Sequence, residues 1–198
     1  MKVIMLSAKN SVYSCNAYLI LGDWNAISDV NTLIDTGVDS SIIDEIEKIS
    51  TGVGKRPVEQ VILTHGHFDH TGGLASIVKK YRPRVLAHNI IEGVNEKVLN
   101  GQVVRVGDRY FDVLHTPGHS NDSICIYCHE EKVLFSGDTP LNIKTPGGSY
   151  TSGYVQSLEK IAGLEIETIY TGHDLPIVEN ASGMIRNTLS NVKKSHLV

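Results

Sequence analysis

The chain has 198 residues, 18 Lys plus Arg against 22 Asp plus Glu, and a formal net charge of −4. So mild an acidity excludes binding to nucleic acid or an anionic membrane by electrostatics alone. A content of 41% hydrophobic and 20% charged residues excludes a disordered chain.

A single domain spanning 1–198 is expected at this length, burying roughly 70% of the unfolded chain's surface. Apolar runs at 3–6, 17–21, 26–30 and 32–35, separated by turns such as Gly22-Asp23, predict four short strands. Asp39 then stands where it can cap a helix with Ile42, Ile43, Ile46 and Ile49 on one face, stopped at Gly52. Residues 61–63 read as a short buried strand, 73–81 as a helix closed by Pro83, 85–88 as a strand and 90–99 as a short helix. Strands dominate again at 103–106, 110–115, 123–127 and 132–135, the last two joined by a hairpin turn at 129–131. The final third is a helix striped by Tyr154, Val155, Leu158 and Ile161, a strand at 168–170, and a helix striped by Ile185, Leu189 and Val192. Strands followed by helices, twice over, predict an α/β chain with two packed sheets flanked by helices, an αββα sandwich.

Nine histidines against three cysteines point to an imidazole metal site rather than a disulfide scaffold. Cys125 and Cys128 form C-x-x-C on an alternating strand, where residues three apart face opposite ways. They are read as small buried hydrophobes, not a redox pair. The few cysteines, the short apolar run near Met1 and the lack of any bilayer-length run predict a cytoplasmic protein with no membrane partner.

The decisive segment is His65-x-His67-x-Asp69-His70, four metal-ligand side chains directly after a buried strand. His65 and His67 share a face and can chelate one ion, while Asp69 and His70 open a helix and can reach a second. Imidazole with carboxylate suits zinc, manganese or iron; calcium would demand more oxygens. Three later positions share one pattern, an apolar strand, then Gly, then a ligand type: His119 in Thr116-Pro117-Gly118-His119, Asp138 in Phe135-Ser136-Gly137-Asp138, and His173 in Tyr170-Thr171-Gly172-His173. Strand ends opening onto one edge are where α/β sites form.

In this order the motifs resemble the metallo-β-lactamase superfamily, from Leu33-Ile34-Asp35-Thr36-Gly37 to the end of the chain. The resemblance implies a four-layer αββα fold of two mixed sheets with the site at their shared edge. It implies a first ion on His65, His67 and His119, a second on Asp69, His70 and His173, and Asp138 bridging the two. Asp35 would orient a ligand histidine from behind. Two divalent ions are implied, zinc first, with iron or manganese as alternatives. They would share a hydroxide that attacks a thioester or small ester, and Asp69 would help to orient it.

An aspartate rather than a cysteine at the bridging position is unlike the best-known β-lactam-cleaving members. The wording around Asp138, Ser157-Leu158-x-Lys160-Ile161 and His173 resembles glyoxalase II. That enzyme adds a helical C-terminal region that grips glutathione; the 25 residues after His173 suffice for one helix, so the resemblance does not carry glutathione recognition over and leaves it open. Leu141 stands near the place where lactonases carry a tyrosine, and no basic arm suggests a nuclease. A mononuclear-iron sulfur dioxygenase, a lactonase or a phosphodiesterase on the same fold are the alternatives, with a non-catalytic metal-binding module behind them. Residues 142–154 are expected to form a flexible loop beside a small-molecule pocket, with Lys144, Tyr150 and Tyr154 as candidate substrate contacts, although Tyr154 also fits the helix stripe. His88 and His115 end strands near the site, and His129 and His196 are expected to face solvent.

Overall fold

The computed structural model describes residues 1–6 and 13–198. The run near Met1 read against a signal peptide therefore lies partly outside the described residues. In the first sheet, β1 (Lys2–Leu6) and β2 (Ala17–Leu21) pair antiparallel, as do β2 and β3 (Thr32–Ile34). From β3 onward the strands run parallel: β4 (Gln60–Ile62), β5 (Arg84–Ala87) and the short edge β6 (Glu96–Lys97). In register, Leu33, Val61 and Val85 lie side by side on one face. That face is covered by α1 (Ile42–Ile46) and α3 (Leu74–Tyr81) through Ile42, Ile46, Leu74 and Ile77. A four-residue helix, α2 (Phe68–Thr71), precedes α3.

The second sheet is a meander of β7 (Val103–Val106), β8 (Arg109–His115), β9 (Ile124–Cys128) and β10 (Val133–Gly137). Past the short β11 (Ser149–Tyr150), the sheet is closed by β12 (Thr168–Thr171), parallel to β10. Its outer face carries α4 (Ser152–Ala162) and α5 (Ala181–Lys193), packed through Tyr154, Leu158, Ile161, Ile185 and Val192. Between the sheets lie Tyr18, Ile20, Ile34, Ile62, Phe111, Val113, Ile126 and Phe135. This gives four layers, helices–sheet–sheet–helices, as expected. Each such fully buried apolar side chain contributes about 1.5–3 kcal/mol of burial free energy.

Cys125 faces the outer layer and Cys128 the layer between the sheets, so the C-x-x-C pair is split and both thiols are free. Among the described residues no helix is long and apolar enough to cross a membrane.

Several local expectations are corrected. Residues 26–29 form a turn rather than a strand, because Asn25 takes a left-handed φ of 50° and Asp29 Oδ2 accepts the Ala26 N–H at 2.7 Å. Within this run only Val30 pairs, through an isolated bridge to Gly107. No helix forms over 90–99: Asn95 Oδ1 accepts the Val85 N–H, which steers Glu96 and Lys97 onto the sheet edge as β6. The 142–154 segment is tied down. Ile143 bonds Thr188 and Asn191 of α5, and β11 pairs parallel with β13 (His196–Leu197). The α1 helix is also shorter than predicted, so Ile49 packs from beyond its end, and Asp39 caps the turn before it through the Ser41 N–H.

Candidate metal centre

The ligand-type residues leave the strands at one end of both sheets. His65 follows β4, His67 is the N-cap of α2, and Asp69 and His70 lie in its first turn. His119 sits in the loop after β8, Asp138 directly after β10 and His173 just after β12. A register shift between Phe135 and Gly137 lets β10 turn, and the Gly172 N–H donates to the Gly137 carbonyl at 2.8 Å. The residues that precede Asp138 and His173 are thereby held side by side.

Two groups result. The ligand atoms of His65, His67 and His119 lie within 4.8 Å of one another, as do those of Asp69, His70, Asp138 and His173. In the first group His65 Nε2 is 3.0 Å from His67 Nδ1, and His119 Nε2 is 2.9 Å from the same atom. In the second, His173 Nε2 is 3.2 Å from Asp69 Oδ2, and His70 Nε2 is 3.2 Å from Asp138 Oδ1. Asp138 spans both groups, since its Oδ2 lies 3.5 Å from His119 Nε2 and 3.4 Å from His173 Nε2.

The donor set fits a pair of divalent cations. His70 Nε2 and Asp138 Oδ1 are buried and have no hydrogen-bond partner, although they are only 3.2 Å apart. Atoms this close but not aligned with each other face a common point, as ligands around a cation do. Orphaned buried polar atoms are costly and call for such a partner. Gly172 keeps the space open, because a Cβ there would lie 2.1 Å from Asp138 Oδ1 and 2.9 Å from His70 Cε1.

The electrostatics agree. Burial works against a charged His70 ring, but the carboxylates of Asp35 and Asp138 outweigh it and hold its pKa far above the usual histidine value. The second group is built around positive charge. Burial would raise the Asp138 carboxyl, yet His70 and the neighbouring imidazoles pull it down to about 2, so it is ionised. Burial, aided by the charge of His70, lowers His65 to about 4, and burial also lowers His119. Both present neutral rings at pH 7, the form that ligates metal.

Behind the ligands stands a clamp. Asp35 Oδ2 bonds His70 Nδ1 at 2.8 Å, leaving Nε2 directed into the site. Asp35 Oδ1 accepts the Thr64 N–H, and the Thr64 hydroxyl donates to Asp35 Oδ2, each at 2.8 Å. That hydroxyl is also 3.1 Å from His65 Nδ1 and can accept its proton, which frees His65 Nε2 for metal. One carboxylate and one hydroxyl thus orient a histidine of each group. Thr64 was not picked out from the sequence; a hydroxyl immediately before His65 was the available signal. Asp35 holds a φ of 57°, unusual for a residue with a side chain. Gly137, at φ 48°, makes room for Thr64, since a Cβ there would lie 2.5 Å from the threonine Oγ1.

Cys15 is also buried here, its sulfur grouped with Asp35 and His70. Burial pushes this thiol up to about 11, so it is protonated. His88 and His115 stack on each other, ring centroids 4.0 Å apart, and belong to neither ligand group. His129 and His196 are exposed, as expected.

Two hollows flank His119. One, of about 260 Å³, is lined by Asp138, Thr139, Leu141, Asn142, His173 and Ile177 among others. The other, of about 250 Å³, includes Gly118, Pro140, Tyr150 and Tyr154. Lys144 is exposed and lines neither. The Tyr154 hydroxyl is committed to the Pro140 carbonyl.

The sequence model of the metallo-beta-lactamase superfamily matches residues 10–173, and the chain belongs to that superfamily. Two curated relatives bear thioesterase or hydrolase names. An atrochrysone carboxyl ACP thioesterase of Aspergillus fumigatus is 30% identical, the match covering 82% of this chain and 52% of the relative. A hydroxyacylglutathione hydrolase of Polaromonas is 35% identical over 76% of this chain and 64% of the relative. The chain thus spans about half the length of the fungal relative and somewhat less than two thirds of the bacterial one. Among solved structures, the metallo-beta-lactamase family protein TTHA1429 of Thermus thermophilus superposes with a TM-score of 0.71 at 18% identity, covering 97% of this chain and 79% of the other. The BLEG-1 B3 metallo-beta-lactamase gives 0.69 at 20% identity, covering 98% and 99%. These two likenesses show the shared fold.

Proposed function

We propose that the chain is a dinuclear metal-dependent hydrolase of thioesters, with zinc as the resident ion and a small molecule as substrate. The observation that carries this reading is Asp138, whose two oxygens face the two ligand groups while its Oδ1 and the opposing His70 Nε2 lack any partner. The thioesterase and acylglutathione hydrolase names among the relatives supply the substrate class.

His65, His67 and His119 would hold one ion, Asp69, His70 and His173 the other, and Asp138 would join them. When bound, such a pair acidifies a shared water and polarises a carbonyl oxygen. Asp35 and Thr64 keep the two buried histidines aimed at the ions. Asp69, only part-buried, can accept a hydrogen bond from the attacking water and so orient it. The hollows on either side of His119 can take the two arms that diverge from a thioester carbonyl. Tyr150 and Tyr154 supply walls of one of them, while the exposed Lys144 lines neither. Three unpaired cysteines are in keeping with a cytoplasmic setting.

The test is metal identity and count, followed by a panel of thioester, lactone and phosphodiester substrates. Two zinc ions per chain with preferential thioester turnover is the expected result. A single iron on the three-imidazole group, with oxygen uptake on a persulfide, would overturn it in favour of an oxidoreductase. Well under two ions per chain and no turnover across the panel would leave a binding module.

A further inference from the structure

We propose that the hollow between Gly118 and the Tyr150–Tyr154 pair is a subsite for an uncharged, planar apolar arm of the substrate, an inference that rests on the thioesterase reading. The hollow begins at His119, so a group placed in it is joined directly to whatever reacts at the metal centre. Its lining contains no Asp, Glu, Lys or Arg. A charged arm would lose its hydration there without gaining a partner of opposite charge.

Two polar groups of the walls are already engaged. The Tyr154 hydroxyl donates to the Pro140 carbonyl, and Thr151 Oγ1 accepts the Tyr154 N–H as the cap of α4. The tyrosine rings and Pro140 supply the apolar wall, with the neutral Ser149 and Tyr150 hydroxyls beside them. The two tyrosine rings stack, with centroids 5.6 Å apart and planes 30° apart, so they offer flat surface suited to a flat group.

The walls are also fixed in place. Gly118 allows the Tyr154 ring to lie against the loop that carries His119, since a Cβ there would be 2.6 Å from Tyr154 Cδ2. On the other side, the Val198 N–H donates to the Tyr150 carbonyl at 2.9 Å and the Ser152 N–H to the Val198 carbonyl at 3.2 Å. Strand β13 therefore straps Tyr150 to the rim. A preformed slot loses less ordering entropy on binding than a loop that must close.

The experiment compares metal-loaded wild type with Tyr150→Ala and Tyr150→Phe. Benzoyl, acetyl and succinyl thioesters of mercaptoethanol are used, together with the acetyl thioester of benzyl mercaptan. Wild type should prefer a benzyl or benzoyl arm over acetyl and succinyl. Tyr150→Ala should lower that preference roughly tenfold, mainly through KM, and Tyr150→Phe should retain it, because the ring and not its hydroxyl forms the wall. Whether the benzoyl or the benzyl series responds tells which arm, acyl or thiol, the slot holds. A preference for succinyl, or an unchanged ratio in Tyr150→Ala, overturns the proposal. Binding of the non-hydrolysable ketone 4-phenyl-2-butanone by calorimetry separates this from the hydrolase reading. Loss of about tenfold in affinity in Tyr150→Ala supports the slot even if no thioester is turned over. Failure of wild type to bind the ketone counts against the slot even if thioesters are hydrolysed.

Discussion

The two ligand groups are built on opposite electrostatic plans. His65, His67 and His119 are three imidazoles, two of them exposed, and burial keeps His65 unprotonated. The other group has two carboxylates, a fully buried His70 and a third carboxylate, Asp35, behind it, and it draws positive charge even onto its own histidine. The contrast teaches that geometry alone does not make the two positions equivalent. The imidazole group offers lone pairs, whereas the mixed group demands a cation, and Asp138 and the Asp35–Thr64 clamp are the elements common to both.

The largest effect should come from cutting the shared member. Asp138→Ala is expected to lower turnover on the order of 10³-fold, several kcal/mol of lost transition-state stabilisation, and to drop metal content below two ions per chain. Steady-state kinetics with metal analysis checks both. Thr64→Val should weaken metal binding at both positions by roughly 10–100-fold, with Thr64→Ser restoring most of it. Competition against a chelator measures this, and loss at one position alone would show that the clamp does not serve both groups.

Gly172→Ala should discriminate between the groups. Its Cβ would press on Asp138 and His70, so about one ion per chain should be retained on the imidazole group, with a stability loss of about 1–3 kcal/mol. The smallest effect concerns acid stability of the metal-free protein. His65 falls from its ordinary 6.5 to about 4 in the fold. Between those values the unfolded chain binds a proton that the folded ring refuses, so this contribution is present above pH 6.5 and is lost as pH falls toward 4. His70 acts in the opposite sense, its contribution being present at low pH and lost only well into the alkaline range. His65→Gln should therefore flatten the acid limb of Tm against pH by on the order of 1 kcal/mol, ~2–4 °C, as thermal melts would show.

Much of this was legible in the sequence because the informative residues cluster. His65 to His70 share one segment, and His119, Asp138 and His173 each follow an apolar strand, so the structure's gathering of all seven was anticipated. The four layers followed from the same reading of strands and helices. What was missed depended on local side-chain-to-backbone bonds and on pairing partners distant in sequence. The 26–30 run is apolar enough for a strand, but Asp29 captures the Ala26 N–H and closes a turn. Ile90 to Leu99 carries helical spacing, yet Asn95 bonds across to Val85, a contact that periodicity does not report. The glycines and small polar residues of 142–154 suggest freedom, whereas β13, some 47 residues further along, pairs with Ser149 and Tyr150. Thr64 escaped for a similar reason: a threonine after a buried strand is ordinary until Asp35 is seen beneath it.

Each ligand group draws on both sheets. His65 and His67 come from the first sheet's side and His119 from the second's; Asp69 and His70 likewise face Asp138 and His173 across the seam. Neither half of the chain holds a complete set, so an ion bound at either position is a cross-link between the halves. Two fragments divided in the connection between β6 and β7 should then find each other more readily when metal is supplied, making reassembly of the protein itself a reporter of ion binding.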